Sequence, residues 1–352
     1  MQLDRAINSF HLLGEEIGNF LYGKTANREK WEKALLLTEQ ENPWFTKENI
    51  ISALNGITPW LEKDKLNAWL AQYPQPDNKK VLTVGVVMAG NIPLVGFHDF
   101  LCVLLSGNIL HAKLSHSDKT LLPFLAKILI GIEPEWENQI HFADKLSSTG
   151  LNAIIATGSN NTARHFEYYF RDIPHIIRKN RNGVAILAGL EITHDLSMLG
   201  EDIFSYYGLG CRNVSKLFVP KGYDFKLFFE SIEKYKDVIN HNKYHSNYVY
   251  NRTIYLMDGK KITDNGFLAV INSPHVASPI AVLNFEEYDN LEVLVKELNS
   301  IKEEIQCVAT SNSVNKNLGN LAPLKVELGE TQSPLLTDYA DGVDIMRFLS
   351  EQ

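Results

Sequence analysis

Among the chain's three cysteines, Cys211 sits in a setting suited to chemistry, in Gly208-Leu209-Gly210-Cys211-Arg212-Asn213. Glycines let a backbone approach a ligand closely, so a thiol here can be presented in a cleft as a nucleophile. The alternative is a turn cysteine with no role. The stretch follows an amphipathic helix with Leu196, Leu199, Ile203 and Tyr206 on one face, and the negative pole of that helix opposes thiolate formation. Arg212, a backbone amide or a bound cation must supply the activation. Cys102 and Cys307 lie in apolar runs, where a cysteine behaves as a small hydrophobe. The odd number and the lack of a CxxC pair argue against disulfides and zinc.

Three further segments can bind or polarise a ligand. Ala89-Gly90-Asn91-Ile92-Pro93 directly follows the first β-branched run, and the Asn91 amide can donate to a developing oxyanion or cap a helix begun by Pro93. In Leu110-His111-Ala112-Lys113-Leu114-Ser115-His116, Lys113 at the end of a strand can reach a ribose or a phosphate. In Ala156-Thr157-Gly158-Ser159-Asn160-Asn161-Thr162, Gly158-Ser159 can set a pyrophosphate against a helix amino terminus. Neither of the last two contains GxGxxG, and both also read as ordinary strand-end turns. His241 and His245 lack HExxH spacing, so no metal site is expected. Arg171, Arg178, Lys179 and Arg181 read as a solvated face or a place for an acidic ligand.

The elements that must position these groups follow from periodicity. Residues 1–72 read as helices, with Trp31, Leu35 and Leu36 at helical spacing and Thr58-Pro59 opening a helix through Trp60, Leu61, Leu66 and Trp69. Tyr73-Pro74-Gln75-Pro76 breaks the chain. Strands are expected at Val81 to Met88, Ile109 to Leu114, Ile140 to Ala143, Ala153 to Thr157 and Val184 to Ala188. Helical segments around Pro93 to Leu105, Lys119 to Ile130 and Thr162 to Phe170 alternate with them, the order of a parallel doubly wound sheet. A second α/β portion follows, with helices at Asp195 to Tyr207, Asp224 to Ile239 and Leu291 to Ile301. Its strands are expected at Lys216 to Val219, Thr253 to Leu256, Phe267 to Ile271, Ile280 to Phe285 and Gln306 to Ala309.

The 352 residues suffice for about two domains with a large apolar core. With 45% hydrophobic and 22% charged residues, neither disorder nor a fibre has compositional support. A net charge of −8 argues against a nucleic-acid footprint. Asp4, Asn8 and His11 interrupt the apolar stretch a signal peptide needs, and no run reaches membrane-spanning length, so a cytoplasmic protein is expected.

Taken in order, the four segments resemble the aldehyde dehydrogenase superfamily, and specifically the LuxC-type acyl-CoA reductases. The resemblance covers Val81 to the carboxyl terminus. Asn91-Ile92-Pro93 matches the superfamily's Asn-x-Pro, Ser106-Gly107-Asn108 through Lys113 its Gly-Asn stretch and ribose-binding lysine, Thr157-Gly158-Ser159 its pyrophosphate-side Thr-Gly-Ser, and Gly208-Leu209-Gly210-Cys211 its catalytic Gly-x-x-Cys. The resemblance implies an aldehyde-dehydrogenase-like α/β fold: a helical region at 1–76, a Rossmann-like doubly wound cofactor domain at 77–189, a second α/β domain with the catalytic thiol at 190–330, and a C-terminal segment at 331–352. It also implies Cys211, Asn91 and His275 as catalytic residues, and Lys113, Ser115, Gly158, Ser159 and Thr162 as cofactor-binding ones.

Three departures refine the expectation. Where hydrolytic members carry Glu-Leu-Gly-Gly, with the glutamate activating water, this chain has Ile176-Ile177-Arg178-Lys179-Asn180, which favours transfer of the acyl group to and from a thiol over hydrolysis. His116 replaces the carboxylate often found three residues after the ribose-binding lysine, which favours NADPH, with NADH as the alternative. His275 stands where the superfamily has a glutamate on the nicotinamide ribose, either as a cofactor or proton-handling group or as a structural histidine. The expected activity is reduction of an acyl-CoA or other acyl-thioester to an aldehyde through an acyl-enzyme on Cys211. A homo-oligomer and an acyl-donor protein partner are also expected. The alternatives are a cysteine acyltransferase or thioesterase without nicotinamide, using His275 or His245 as base, and a non-catalytic binding protein on the same fold.

Overall fold

Short β-branched strands that alternate with apolar helices, and cannot bury both faces alone, build one parallel and one mostly parallel sheet with helices around them. The computed structural model describes residues 1–74 and 80–352, so the break expected at 73–80 lies mostly outside the described residues. The chain divides into two compact units, one of residues 1–180 and 335–352 and the other of residues 181–334.

In the first unit, α1 (Leu3–Leu21), α2 (Arg28–Glu41), α3 (Lys47–Ile57) and α4 (Lys63–Leu70) form the expected helical region. Thr58-Pro59 opens only a short 3-10 turn, Thr58–Leu61, because the Thr58 hydroxyl bonds back to Leu54 O instead of capping. Leu36, expected in the core stripe, is exposed. The sheet contains β1 (Thr83–Val87), β2 (Ile109–Lys113), β3 (Ile140–Phe142), β4 (Ala153–Thr157) and β5 (His175–Arg178), all parallel in the order β3-β2-β1-β4-β5. Around it lie α5 (Phe97–Leu105), α6 (Leu121–Ile132) and α7 (Asn160–Tyr169).

The second unit contains β6 (Asn182–Ile186), α8 (Thr193–Phe204), β7 (Val214–Pro220), α9 (Lys226–Ser231), α10 (Asn242–Met257), β8 (Ile262–Asp264), β9 (Ala269–Asn272), β10 (Val282–Tyr288), α11 (Leu291–Ser300), β11 (Ile305–Thr310), α12 (Asn312–Asn315) and β12 (Leu324–Glu327). Its sheet has the order β12-β11-β6-β7-β10-β9-β8, parallel except where β8 meets β9. The strand expected at Val184 to Ala188 is therefore real but belongs to this second sheet. The strand expected at Thr253 to Leu256 is instead the last turn of α10. His241 caps that helix by accepting from Tyr244 N, and Tyr244, Tyr248 and Asn251 bury one face, which overrides the local β-branched run. The chain then returns to the first unit, where α13 (Ile345–Ser350) packs its Ile345, Met346 and Leu349 into the core.

β5 was hidden in the sequence by its charges. Arg178, expected on a solvated face, is buried, and its Nη1 and Nη2 donate to the two Asp99 carboxylate oxygens at 2.8 and 3.0 Å. The rest of that basic run meets the protein's own carboxylates, Arg171 with Asp172, Lys179 with Glu167 and Arg181 with Glu303. Breaking a buried pair leaves an uncompensated charge, so Asp99→Ala should destabilise by about 3–5 kcal/mol in denaturant unfolding, and Asp99→Leu combined with Arg178→Met should recover most of the loss. Equal stabilities of the single and double variants would contradict this.

Candidate active site

The ligand edge of a doubly wound sheet is the carboxyl end of its strands, at the point where strand order reverses, here between β1 and β4. Three of the expected segments leave the first sheet at this edge. Asn91 follows β1 and is exposed; α5 starts only at Phe97 with Gly96 as its N-cap, so Asn91 does not cap it. The same loop carries Leu94 in the left-handed region at φ 57°, held by a hydrogen bond from Leu94 N to Asp118 Oδ2 at 2.9 Å. Burial pushes the Asp118 carboxyl up to about 7.

Lys113 ends β2, half-buried, and its carbonyl accepts from Met88 N at 3.0 Å. The Ser115 hydroxyl accepts from Ser117 N at 3.2 Å. After β4, Ser159 N-caps α7, accepting from Thr162 N at 3.3 Å while its hydroxyl lies 2.9 Å from the Thr162 hydroxyl. A Cβ on Gly158 would crowd Thr162 and Phe166 at 3.0–3.1 Å, so glycine lets α7 start close against the strand. A close-packed, exposed helix start beside β1 and a lysine at the end of β2 fit the phosphates and ribose of a dinucleotide.

In the second unit the cysteine loop precedes β7. α8 ends at Phe204, and Tyr206, Tyr207 and Gly208 follow with φ of 51°, 57° and 78°, a left-handed run that two tyrosines adopt only under constraint. Asn213 supplies it: its Oδ1 accepts from Gly210 N at 2.7 Å, and its Nδ2 donates to Asp202 O and Ser205 O, both at 2.9 Å. Gly183 N donates to Asn213 O at 3.0 Å, and a Cβ on Gly183 would collide with the carbonyls of Arg212 and Asn213, so the loop lies directly on β6.

Arg212, buried, donates from Nε to Thr331 O at 2.7 Å, and its Nη2 has no acceptor among the described residues. The Thr331 loop is fixed in turn by Asp202, whose carboxylate accepts from Gly329 N at 2.7 Å and Thr331 N at 3.0 Å. Cys211 is half-buried, whereas Cys102 and Cys307 are fully buried as expected, and burial pushes the Cys102 thiol well up.

His275 is exposed in the 273–281 connection. That connection is held by Asn284 Nδ2 to His275 O and Ala277 O, by Lys216 Nζ to Pro274 O, and by Ser215 Oγ to Val276 O. The His275 ring makes no hydrogen bond to Cys211 among the described residues. Described residues contain no cluster that would hold a metal ion. They contain no helix long and apolar enough to cross a membrane.

Sequence reading had singled out Cys211 and Arg212 but missed the roles of Asn213, Asp202 and Gly183. The available signal was Asp202 beside the apolar stripe Leu196, Leu199 and Ile203, where a carboxylate needs a partner.

No protein-family model and no curated protein matches the sequence. Solved structures do match, and they give the chain the aldehyde dehydrogenase fold. An indole-3-acetaldehyde dehydrogenase complexed with NAD+ aligns with a TM-score of 0.69 at 12% identity over 97% of this chain and 79% of that one. The betaine aldehyde dehydrogenase of Staphylococcus aureus aligns with a TM-score of 0.68 at 12% identity, covering 94% and 76%. The glyceraldehyde-3-phosphate dehydrogenase GapN of Methanocaldococcus jannaschii, complexed with NADP, aligns with a TM-score of 0.64 at 14% identity, covering 94% and 82%.

Burial raises the Asp202 carboxyl to about 6, against the two backbone amides that favour its charge. A raised carboxyl favours the folded state while it is neutral; that contribution is complete below about pH 4 and is lost as pH rises through about 6. The stability advantage of wild type over Asp202→Asn should therefore shrink by up to about 3 kcal/mol between pH 4 and pH 7 in denaturant unfolding. An advantage that grows with pH would reverse the assignment.

Proposed function

We propose that the protein is a nicotinamide-dependent acyl-CoA reductase of the LuxC type, with Cys211 as its nucleophile. The observation that carries this reading is the fate of the stretch at the end of β5. Hydrolytic aldehyde dehydrogenases carry a water-activating glutamate in the matching stretch; here Ile176-Ile177-Arg178-Lys179-Asn180 contains no carboxylate, and Arg178 is locked in a buried pair with Asp99. A guanidinium cannot act as a general base, because it stays protonated. An acyl-enzyme lacking such a base persists until another thiol or a hydride reaches it.

On this reading the Cys211 thiolate attacks the thioester carbonyl and the Cys211 backbone amide meets the tetrahedral oxyanion, while the resemblance of Asn91-Ile92-Pro93 to Asn-x-Pro assigns Asn91 as the side-chain donor. The carbon–sulfur bond to coenzyme A breaks and its thiolate leaves, which keeps the acyl group as a thioester on Cys211. A bound nicotinamide supplies the chemistry of hydride donation, with NADPH favoured by His116. Lys113, Ser115, Gly158, Ser159 and Thr162 hold its ribose and phosphates. Addition of that hydride to the thioester carbonyl carbon and of a proton to its oxygen gives a thiohemiacetal on Cys211, which collapses to free aldehyde and regenerates the thiol. His275 is assigned to the cofactor or to proton transfer at the thiol.

The test is NADPH oxidation over acyl-CoAs of graded length, with intact-mass detection of acyl groups on the protein. Cys211→Ala should abolish both signals, and Asn91→Ala should lower kcat by about 10²–10³. Wild-type turnover in Cys211→Ala would overturn the site. Acyl-CoA consumption unaffected by NADPH would favour an acyltransferase, and failure to trap an acyl group would favour a binding protein.

A further inference from the structure

The helices α1, α2 and α6 of the first unit line a groove of about 970 Å³, among residues that the proposed chemistry does not use. Its origin is legible in α6, Leu-Leu-Pro-Phe-Leu-Ala-Lys-Ile-Leu-Ile-Gly-Ile, which is apolar nearly all round. Such helices are normally covered on every side. Leu121, Leu122, Leu125, Ala126 and Leu129 are buried, which accounts for one face. Phe124, Ile128 and Ile132 belong to the other face; they are only half-buried and line the groove. Leu12 of α1 and Leu37 of α2, 38% and 41% exposed, extend the apolar surface.

The charges around this surface are unbalanced. Lys30, Lys33, Lys119 and Lys127 line the groove, and among the described residues none of them makes an ion pair. Of the two carboxylates present, Glu16 is engaged within the protein, accepting from Thr25 Oγ1 at 2.7 Å, Trp31 Nε1 at 3.2 Å and Asn27 Nδ2 at 3.3 Å. Glu15 faces His11 at 4.0 Å.

We propose that this groove binds a single-chain amphiphile with an anionic head, its alkyl chain against Phe124, Ile128 and Ile132 and its carboxylate or phosphate among the lysines. The volume lies at the upper end of the roughly 300–1,000 Å³ typical of small-ligand pockets. A small inorganic anion would leave the apolar floor wet, and a neutral alkane would leave the ammonium groups without a partner. The ligand is a monomer from solution. A bilayer presents a headgroup plane that suits a protruding apolar face, whereas this surface is a cleft between helices. The proposal is independent of the role of Cys211.

The experiment uses the full chain with dodecanoate and dodecyl phosphate below their micelle concentrations. Affinity is measured by calorimetry, and the site is located by peptide mapping after labelling with a diazirine analogue of dodecanoate. Label should fall on residues 3–41 and 119–132. Lys30→Glu combined with Lys33→Glu should weaken binding about tenfold, since rim charges contribute modestly, and the double arginine variant should restore it. Both lysines are exposed, so thermal unfolding should be unchanged. Cys211→Ala should bind as wild type does.

Equal affinities of the charge-reversed and wild-type proteins, or equal affinity for the uncharged dodecyl maltoside, would overturn the proposal. Label confined to residues 181–334 would overturn it too, while leaving the reductase reading intact. Sedimentation with phosphatidylglycerol vesicles without dodecanoate binding would assign the surface to a membrane and sink the monomer assignment.

Discussion

The Asn213 side chain holds the cysteine loop in place. It is 3% exposed, and its amide bonds to Gly210 N, Asp202 O and Ser205 O tie the end of α8 to the start of β7. The segment it spans would not hold its shape unaided. Tyr206 and Tyr207 in the left-handed region cost of order 1–3 kcal/mol each, and such residues persist only where the surroundings over-determine them. Here the determination comes from three directions: the Asn213 amide, the flat approach of the loop onto Gly183, and the anchoring of Arg212 to Thr331 O. The position of the thiol is therefore set by polar groups of its own unit, together with the packing of the Tyr207 ring on His241 and Tyr244.

Buried charges act similarly elsewhere in both units, either fixing a loop or tying one element to another. Asp202 fixes the Gly329–Thr331 turn. Lys216, 1% exposed, reaches Glu286 at 2.6 Å and Pro274 O at 2.9 Å, which pins the connection that carries His275. Arg178 with Asp99 ties the end of β5 to the first turn of α5. Burying charge is costly, and pairs like these rarely add net stability over an apolar replacement. What they add is discrimination, because a loop displaced by one residue leaves a charge without its partner.

This explains what was legible in the sequence. The alternation of strands and helices from Val81 onward could be read, because short β-branched runs and apolar helices have different periods. The order of the four chemical segments could be read as well, since each closes or opens a recognisable element. Three things could not. Periodicity does not say which sheet a strand joins, so β6 was placed in the first. β5 looked like a charged surface because Asp99, which neutralises Arg178, lies 79 residues earlier. Thr253-Ile254 looked like a strand because the cap at His241 and the buried tyrosine face that make it helical lie a turn or more away. The clamp by Asn213 was invisible for a different reason: an asparagine after a cysteine reads as a turn residue, and only its contacts reveal that it closes one.

The two sheets also differ in where they carry their candidate groups. In the first, Asn91, Ser115 and Gly158 follow β1, β2 and β4, at the carboxyl edge where doubly wound sheets offer helix amino termini to anions. In the second, Cys211 immediately precedes β7 and lies at the amino edge, beyond the carboxyl end of α8. The negative pole of a helix raises the energy of an ionised thiol near its carboxyl end. The local hydrogen bonds offset this. Asn213 Nδ2 donates to Asp202 O and Ser205 O, so two of the carbonyls that end α8 are already satisfied. The amide that shapes the loop therefore also reduces the negative potential the thiol faces, so removing it should alter the reactivity of Cys211 as well as the geometry of its loop.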